Sequence, residues 1–147
     1  MALNRDFIGR VYPPSAPYEV SRVKIREFAT AIGDANPMCL DTELARAAGH
    51  SDVVAPPTFP IVFCLPSDAL IDPELGLNYA MVVHSEQRFE YQRPIVAGDE
   101  LVSTATITEI RSIARNELIT IKTDIVDVHG KLVCTAYNSI VERGGAA

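Results

Sequence analysis

At residue 79 the chain changes period. Downstream, apolar and polar residues alternate over four stretches, 79–92, 100–110, 117–127 and 131–142. Thr104, Thr106 and Thr108 alternate with Ala105, Ile107 and Glu109, and Ile119, Ile121, Thr123 and Ile125 with Thr120, Lys122 and Asp124. A two-residue period rich in Val, Ile, Thr, Phe and Tyr predicts β-strands. His129-Gly130 predicts a tight hairpin turn between the last two strands, and Ala97-Gly98-Asp99 another turn. Pro94 ends its strand, because it cannot donate to a ladder. Upstream, residues 59–70 are apolar on almost every side, from Ile61 through Val62, Phe63, Cys64 and Leu65, which predicts a buried helix. Thr58 would cap it, Pro60 would sit in its first turn, and Pro66 would kink or end it. One buried helix followed by long strands restricts the chain to an α+β fold with a central helix.

The first half reads as helical. Val23, Ile25, Phe28, Ala29 and Ile32 recur at helical spacing and predict an amphipathic helix over 22–32, with Ser21 as N-cap and Gly33 as stop. A short helix fits 42–48, between Asp41 and Gly49. Pro13, Pro14 and Pro17 make 12–18 an extended or turning lead-in, and Asp72-Pro73-Glu74-Leu75-Gly76 reads as a loop. The 147 residues predict a single domain, 1–147, with room for a core. Nineteen acidic against 13 basic residues give a formal charge of −6, which argues against nucleic acid as a partner. Cys39, Cys64 and Cys134 are odd in number and far apart, and predict reduced thiols in a cytoplasmic protein. The N-terminus is too polar for a signal peptide, and no apolar run matches a membrane span.

Gly33-Asp34-Ala35-Asn36-Pro37-Met38-Cys39 resembles the signature of the MaoC-like, (R)-specific enoyl hydratase/dehydratase family. That signature runs Gly-Asp, any residue, Asn-Pro, an aliphatic residue, then His. The likeness extends through Ala55-Pro56-Pro57-Thr58-Phe59, then His84 to Pro94 and Ala97-Gly98-Asp99-Glu100-Leu101, so that it covers nearly the whole chain. It is nearest to the MaoC dehydratase N-terminal type. That type includes the A subunit of mycobacterial (3R)-hydroxyacyl-ACP dehydratase and the non-catalytic half of double hot-dog hydratases. The resemblance implies a hot-dog fold, a curved antiparallel sheet wrapped around a long central helix. It implies an acyl thioester of coenzyme A or of an acyl carrier protein as ligand, and neither a metal nor a redox cofactor.

Hydration of an enoyl thioester needs a base for water, a proton for the α-carbon, and donors for the thioester oxygen as it gains enolate charge. In catalytic members of the family an Asp and a His grip the water, and N–H groups at the start of the buried helix hold the oxygen. By resemblance Asp34 and Asn36 are the family's Asp and Asn. Cys39 stands in the place of the His, and Pro57 in the place of a Gly. A thiol has a reference pKa of about 8.5 against about 6.5 for imidazole, and it is a weak hydrogen-bond partner. Proline has no N–H to donate. The site therefore reads as degenerate twice over. Pro57, Thr58, Phe59, Arg88 and Arg93 are the candidate substrate contacts, the arginines for phosphate oxygens. Equally, Arg88 and Arg93 could pair with Glu86 and Glu90 across strands. Asp34, Asn36 and Pro37 also suit a plain turn, Cys39 a buried inert thiol, and Phe89 and Tyr91 packing against the helix. His50 and His84 are the alternative sources of an imidazole, each also readable as an ordinary surface or strand histidine, while His129 belongs to a solvated turn.

Three functions fit. One is a non-catalytic subunit of a (3R)-hydroxyacyl thioester dehydratase in acyl-chain elongation, paired with a catalytic hot-dog chain. Another is a self-sufficient hydratase, alone or as a homodimer, using Asp34 with a displaced His. The last is an acyl-thioester hydrolase or acyl-binding protein, which would not need Asn36-Pro37. The first accounts for both losses. Hot-dog proteins usually join their sheets edge to edge, and long strands need such pairing.

Overall fold

Five antiparallel strands form one curled sheet in the computed structural model, which describes residues 2–65 and 67–145. They are β1 (Tyr18–Glu19), β2 (Val82–Tyr91), β3 (Glu100–Ile113), β4 (Asn116–Val126) and β5 (Leu132–Glu142), in the order β1-β3-β4-β5-β2. The four long strands lie where the two-residue period predicts them, and this is the sheet of a hot-dog fold. Residues 79–81, expected as the start of β2, instead make a 3₁₀ turn capped by Asn78, whose side chain accepts the Ala80 N–H. On β4 the alternation is visible as burial: Glu117, Ile119, Ile121, Thr123 and Ile125 face inward and are buried, while Thr120, Lys122 and Asp124 are not.

The helices of the first half follow their caps. Helix α1 (Arg22–Ile32) begins at Ser21, whose hydroxyl accepts the Lys24 N–H, and stops at Gly33. Gly33 holds φ at +71°, a left-handed geometry that glycine adopts without a Cβ penalty, and its N–H returns to Ala29 and Thr30. Two short helices follow, α2 (Pro37–Leu40) and α3 (Thr42–Ala47). α2 escaped the sequence reading because four residues are too few to show a period. Ile25 and Ala29 of α1 are fully buried, in a core cluster with Phe59, Leu101, Ile125 and Cys134. A second cluster fills the other end of the sheet, where Leu3, Phe7 and Leu75 meet Ile107, Ile119 and Ile140.

The expected single helix over 59–70 does not form. The chain makes a 3₁₀ turn, Phe59–Val62, and then a separate short helix, α4 (Ser67–Ile71). Phe63 ends the turn at φ −130°, outside the helical region. Apolar composition signals burial rather than helix, and even burial is partial: Phe59 is 0% exposed but Leu65 57%. Thr58 occupies the cap position without a side-chain hydrogen bond, since its backbone (φ −94°, ψ 0°) is not extended as a capping residue needs. The expected effect of Pro66 falls outside the described residues, as do the last two residues of the Gly-Gly-Ala-Ala tail. Among the described residues no helix is long and apolar enough to cross a membrane.

The two edges of the sheet differ. Along β3 the N-terminal segment supplies a covering strand of backbone. Gly9 donates to the Ile107 carbonyl (2.7 Å), Ile107 to that of Arg10 (3.1 Å), Tyr12 to Ala105 (2.9 Å) and Ser15 to Ser103 (2.9 Å). β2 has β5 on one side and, among the described residues, no strand on the other.

Candidate functional site

The turn from α1 into α2 is built by the motif side chains themselves. Asp34 Oδ1 accepts the Asn36 N–H at 2.9 Å, and Asn36 Oδ1 accepts the Met38 N–H at 3.1 Å. Pro37 occupies the first turn of α2, where its missing N–H costs nothing. This winding turns Cys39 inward, and it is 2% exposed. Burial, and then the charge of Asp34, raise its thiol above the ordinary value. A buried thiol held above its ordinary value is a poor base and a poor nucleophile.

The segment from Val53 to Pro57 faces α2. Val54 donates to the Met38 carbonyl (2.9 Å), Ala55 to that of Ile95 (2.8 Å), and Ala97 to that of Val53 (3.0 Å). Beyond it the Tyr91 hydroxyl donates to the Pro57 carbonyl at 2.7 Å. Between these pieces lies a cleft of about 420 Å³, lined on one side by Asn36, Met38 and Cys39 and on the other by Tyr91, Gln92 and Arg93, with residues 54–57 as its wall. The walls are mostly apolar, and the volume is in the range of small-molecule sites.

Polar chemistry in the cleft is sparse. Pro57 and Pro60 have no N–H, and the Phe59 N–H is donated to the Pro56 carbonyl at 2.9 Å. Of residues 57–60, Thr58 alone has an N–H to offer a ligand. Arg93 lines the cleft, but its guanidinium forks onto Asp99 (2.8 and 3.1 Å) and lies 3.8 Å from Asp127. Burial pushes the Tyr91 phenol well above its usual range, as do the neighbouring Cys134 and Cys64. Those two thiols are themselves pushed up, Cys134 to about 11 and Cys64 to about 12, chiefly by burial.

The structure thus gathers Asn36, Cys39, Pro57 and Arg93 around one cleft, with Asp34 behind Cys39. Phe59 is in the core and Thr58 is exposed beside the cleft wall. Arg88 stands on the outer face of β2, ion-paired with Glu90 and stacked 4.0 Å over the Tyr137 ring. His50 follows α3, its N–H bonded to the Ala45 carbonyl, and is not among the lining residues. His84 Nε2 meets the Asn138 amide at 3.2 Å, and lies roughly 20 Å along β2 from Tyr91 at about 3.3 Å per residue. None of the chain's three histidines is among the residues that line the cleft. Tyr91 is the lining residue whose role the sequence did not show. Alternation with Gln87 and Phe89 placed it on the inner face, but its bond to the Pro57 carbonyl depends on a loop brought from elsewhere in the chain.

Residues 6–136 match the family model for the FAS1-like dehydratase domain region. A UPF0336 protein of Streptomyces coelicolor is 51% identical over 145 residues, 97% of each chain. One from Thermobifida fusca is 49% identical over 148 residues, 99% of this chain and 97% of that one. Among solved structures, a MaoC-like dehydratase superposes with a TM-score of 0.84 at 36% identity, over 93% of this chain. This chain spans only 42% of that protein. The HadBC (3R-hydroxyacyl-ACP dehydratase) complex of Mycobacterium tuberculosis gives a TM-score of 0.81 at 27% identity, over 95% of this chain and 99% of that one. With the hot-dog sheet, the cleft beneath the Asp34–Asn36 turn and a family match over most of its length, the chain belongs to the FAS1-like dehydratase-region family of MaoC-like hot-dog proteins.

Proposed function

We propose that this chain is the supporting, non-catalytic subunit of a two-subunit (3R)-hydroxyacyl thioester dehydratase acting in cytoplasmic acyl-chain elongation. One observation carries the reading: the cleft holds a buried Cys39 thiol where proton transfer needs an imidazole, beside a wall segment nearly stripped of N–H donors. Elimination of water from a 3-hydroxyacyl thioester requires a base at the α-carbon and an acid at the departing hydroxyl. Asp34 and Asn36 already serve the backbone, and no histidine of this chain lines the cleft. The base and acid would therefore come from a second hot-dog domain. This chain would contribute the apolar wall of the acyl channel through Met38, Val54 and Pro57. Arg93 at the rim would face the phosphate-bearing arm of the thioester. The solved relative in which this chain's counterpart is less than half of the polypeptide fits such a pairing.

The test is hydration of a short enoyl thioester, followed by loss of its conjugated absorbance. The chain is assayed alone and mixed with a hot-dog chain from the same genome that carries both Asp and His. Activity in the mixture alone supports the proposal. Turnover by the chain alone at an ordinary enzymic rate, abolished by Asp34→Asn, would overturn it.

A further inference from the structure

Two walls of the cleft, residues 54–57 and 91–95, are tied together at both ends. At one end the Ala55 N–H donates to the Ile95 carbonyl at 2.8 Å. At the other the Tyr91 hydroxyl donates to the Pro57 carbonyl at 2.7 Å. Between these ties Pro56, Pro57 and Pro94 have no N–H, so the facing stretches make no ladder and a gap stays open. A ligand in the gap meets mostly apolar surface. An oxygen that it carries inside needs a donor there, because a buried polar atom without one is costly.

Few groups can donate. The N–H groups of Asn36, Met38 and Cys39 are taken up by the turn into α2, and that of Val54 by the Met38 carbonyl. Gln92 donates its N–H to the Val133 carbonyl, and the Arg93 guanidinium is forked onto Asp99. The side-chain amides of Asn36 and Gln92 belong to exposed residues at the rim. Thr58 has an N–H, but the Pro57–Thr58 peptide is trans, so this N–H points away from the Pro57 carbonyl and from Tyr91.

Tyr91 is placed differently. Its hydroxyl is a donor beside Pro57, the residue that stands where the family has an N–H. Its ring is held by packing: Tyr91 lies opposite Cys134 on β5 and against the core cluster that includes Phe59 and Cys64. Its bond to Pro57 is exposed, so water can replace it at the carbonyl. A phenolic O–H turns about its C–O bond and can pass from Pro57 to a ligand while the ring stays in place. We infer that the Tyr91 hydroxyl donates a hydrogen bond to the carbonyl oxygen of an acyl thioester bound in this cleft. It is a binding contact and not an oxyanion hole, since the Thr58 N–H does not converge with it. One such donor holds the thioester in its ground state and leaves proton transfer to another chain. The inference rests on the reading of the cleft as an acyl-thioester site.

The test is the carbonyl stretch of butyryl-CoA labelled with carbon-13 at the thioester carbonyl, read by infrared difference spectroscopy on the full chain. Butyryl-CoA is saturated and cannot be hydrated, so the readout needs no activity. A hydrogen bond lowers the stretch. The native chain and Met38→Ala should therefore share a low frequency, although Met38→Ala binds more weakly for want of apolar wall. Tyr91→Phe should show a higher frequency and about fivefold weaker binding. If Tyr91 only braced Pro57, its loss would lower stability and leave the frequency in place. An unchanged frequency in Tyr91→Phe, or no binding of butyryl-CoA by the native chain, would overturn the inference. Either result leaves the mixed-chain hydration assay to decide the supporting-subunit reading. Turnover by the chain alone would overturn that reading without touching this one.

Discussion

Asp52 offers a quantitative check on how the cleft wall is held. Its carboxylate forks onto Arg22, the first residue of α1, at 2.6 and 2.9 Å, and also accepts the Val53 N–H at 2.8 Å. It therefore ties α1 to the segment that leads into the cleft wall. The hydrogen bond from Arg22 holds the Asp52 carboxyl below its usual range, at about 2 against 3.8. A difference of about 1.8 pKa units corresponds to about 2.4 kcal/mol at neutral pH. Arg22 is 54% exposed, so solvent screening reduces this to about 1 kcal/mol. Because the folded value is the lower one, the contribution is full above the unfolded value. It falls as pH drops, to about half near pH 3, and vanishes below about pH 2. Asp52→Asn retains an oxygen for the Val53 N–H and removes the charge. Urea unfolding should therefore show a loss of about 1 kcal/mol at pH 7 and about half of that at pH 3. A loss that is equal at both pH values, or larger at pH 3, would refute the electrostatic account.

Other substitutions read other parts of the structure. Phe59→Ala empties a fully buried site in the cluster that joins α1 to the sheet, and should cost about 3–5 kcal/mol in the same unfolding assay. Tyr91→Phe removes the bond to the Pro57 carbonyl. It should cost about 1 kcal/mol of stability, and should weaken thioester binding in the assembled enzyme more than it slows turnover. The thiols of Cys64 and Cys134, pushed up to about 12 and about 11, should resist alkylation at pH 8 in the folded chain and react fully in urea. On the supporting-subunit proposal, restoring the family residues with Cys39→His and Pro57→Gly should bring detectable hydratase activity to the chain alone, measured by loss of the enoyl absorbance.

The strands were legible because a two-residue period needs only one buried face, and β4 shows it at every position from Ile119 to Ile125. Helix α1 was legible because Ser21 and Gly33 mark its ends chemically. Residues 59–70 misled because an apolar run reports removal from water and not the backbone geometry that achieves it. The site was only half legible. Asn36, Cys39, Pro57 and Arg93 could be named from the sequence, but the Arg93–Asp99 fork and the Tyr91–Pro57 bond are tertiary facts with no local signature. Arg88 is the reverse case: a pairing with Glu90 was in plain view, but it runs along β2 and not across strands.

Asp34 and Asn36 answer to two masters. Whatever they do for a substrate, each also closes a backbone turn that carries the chain from α1 into α2. A lineage that gave up proton transfer here would still be selected to retain both residues, while the histidine position, where Cys39 packs in the core without closing the turn, would be free to take another side chain that fits. A signature of this kind can therefore outlive its chemistry by most of its letters. For any chain bearing it, competence has to be judged at the positions that the turn does not need.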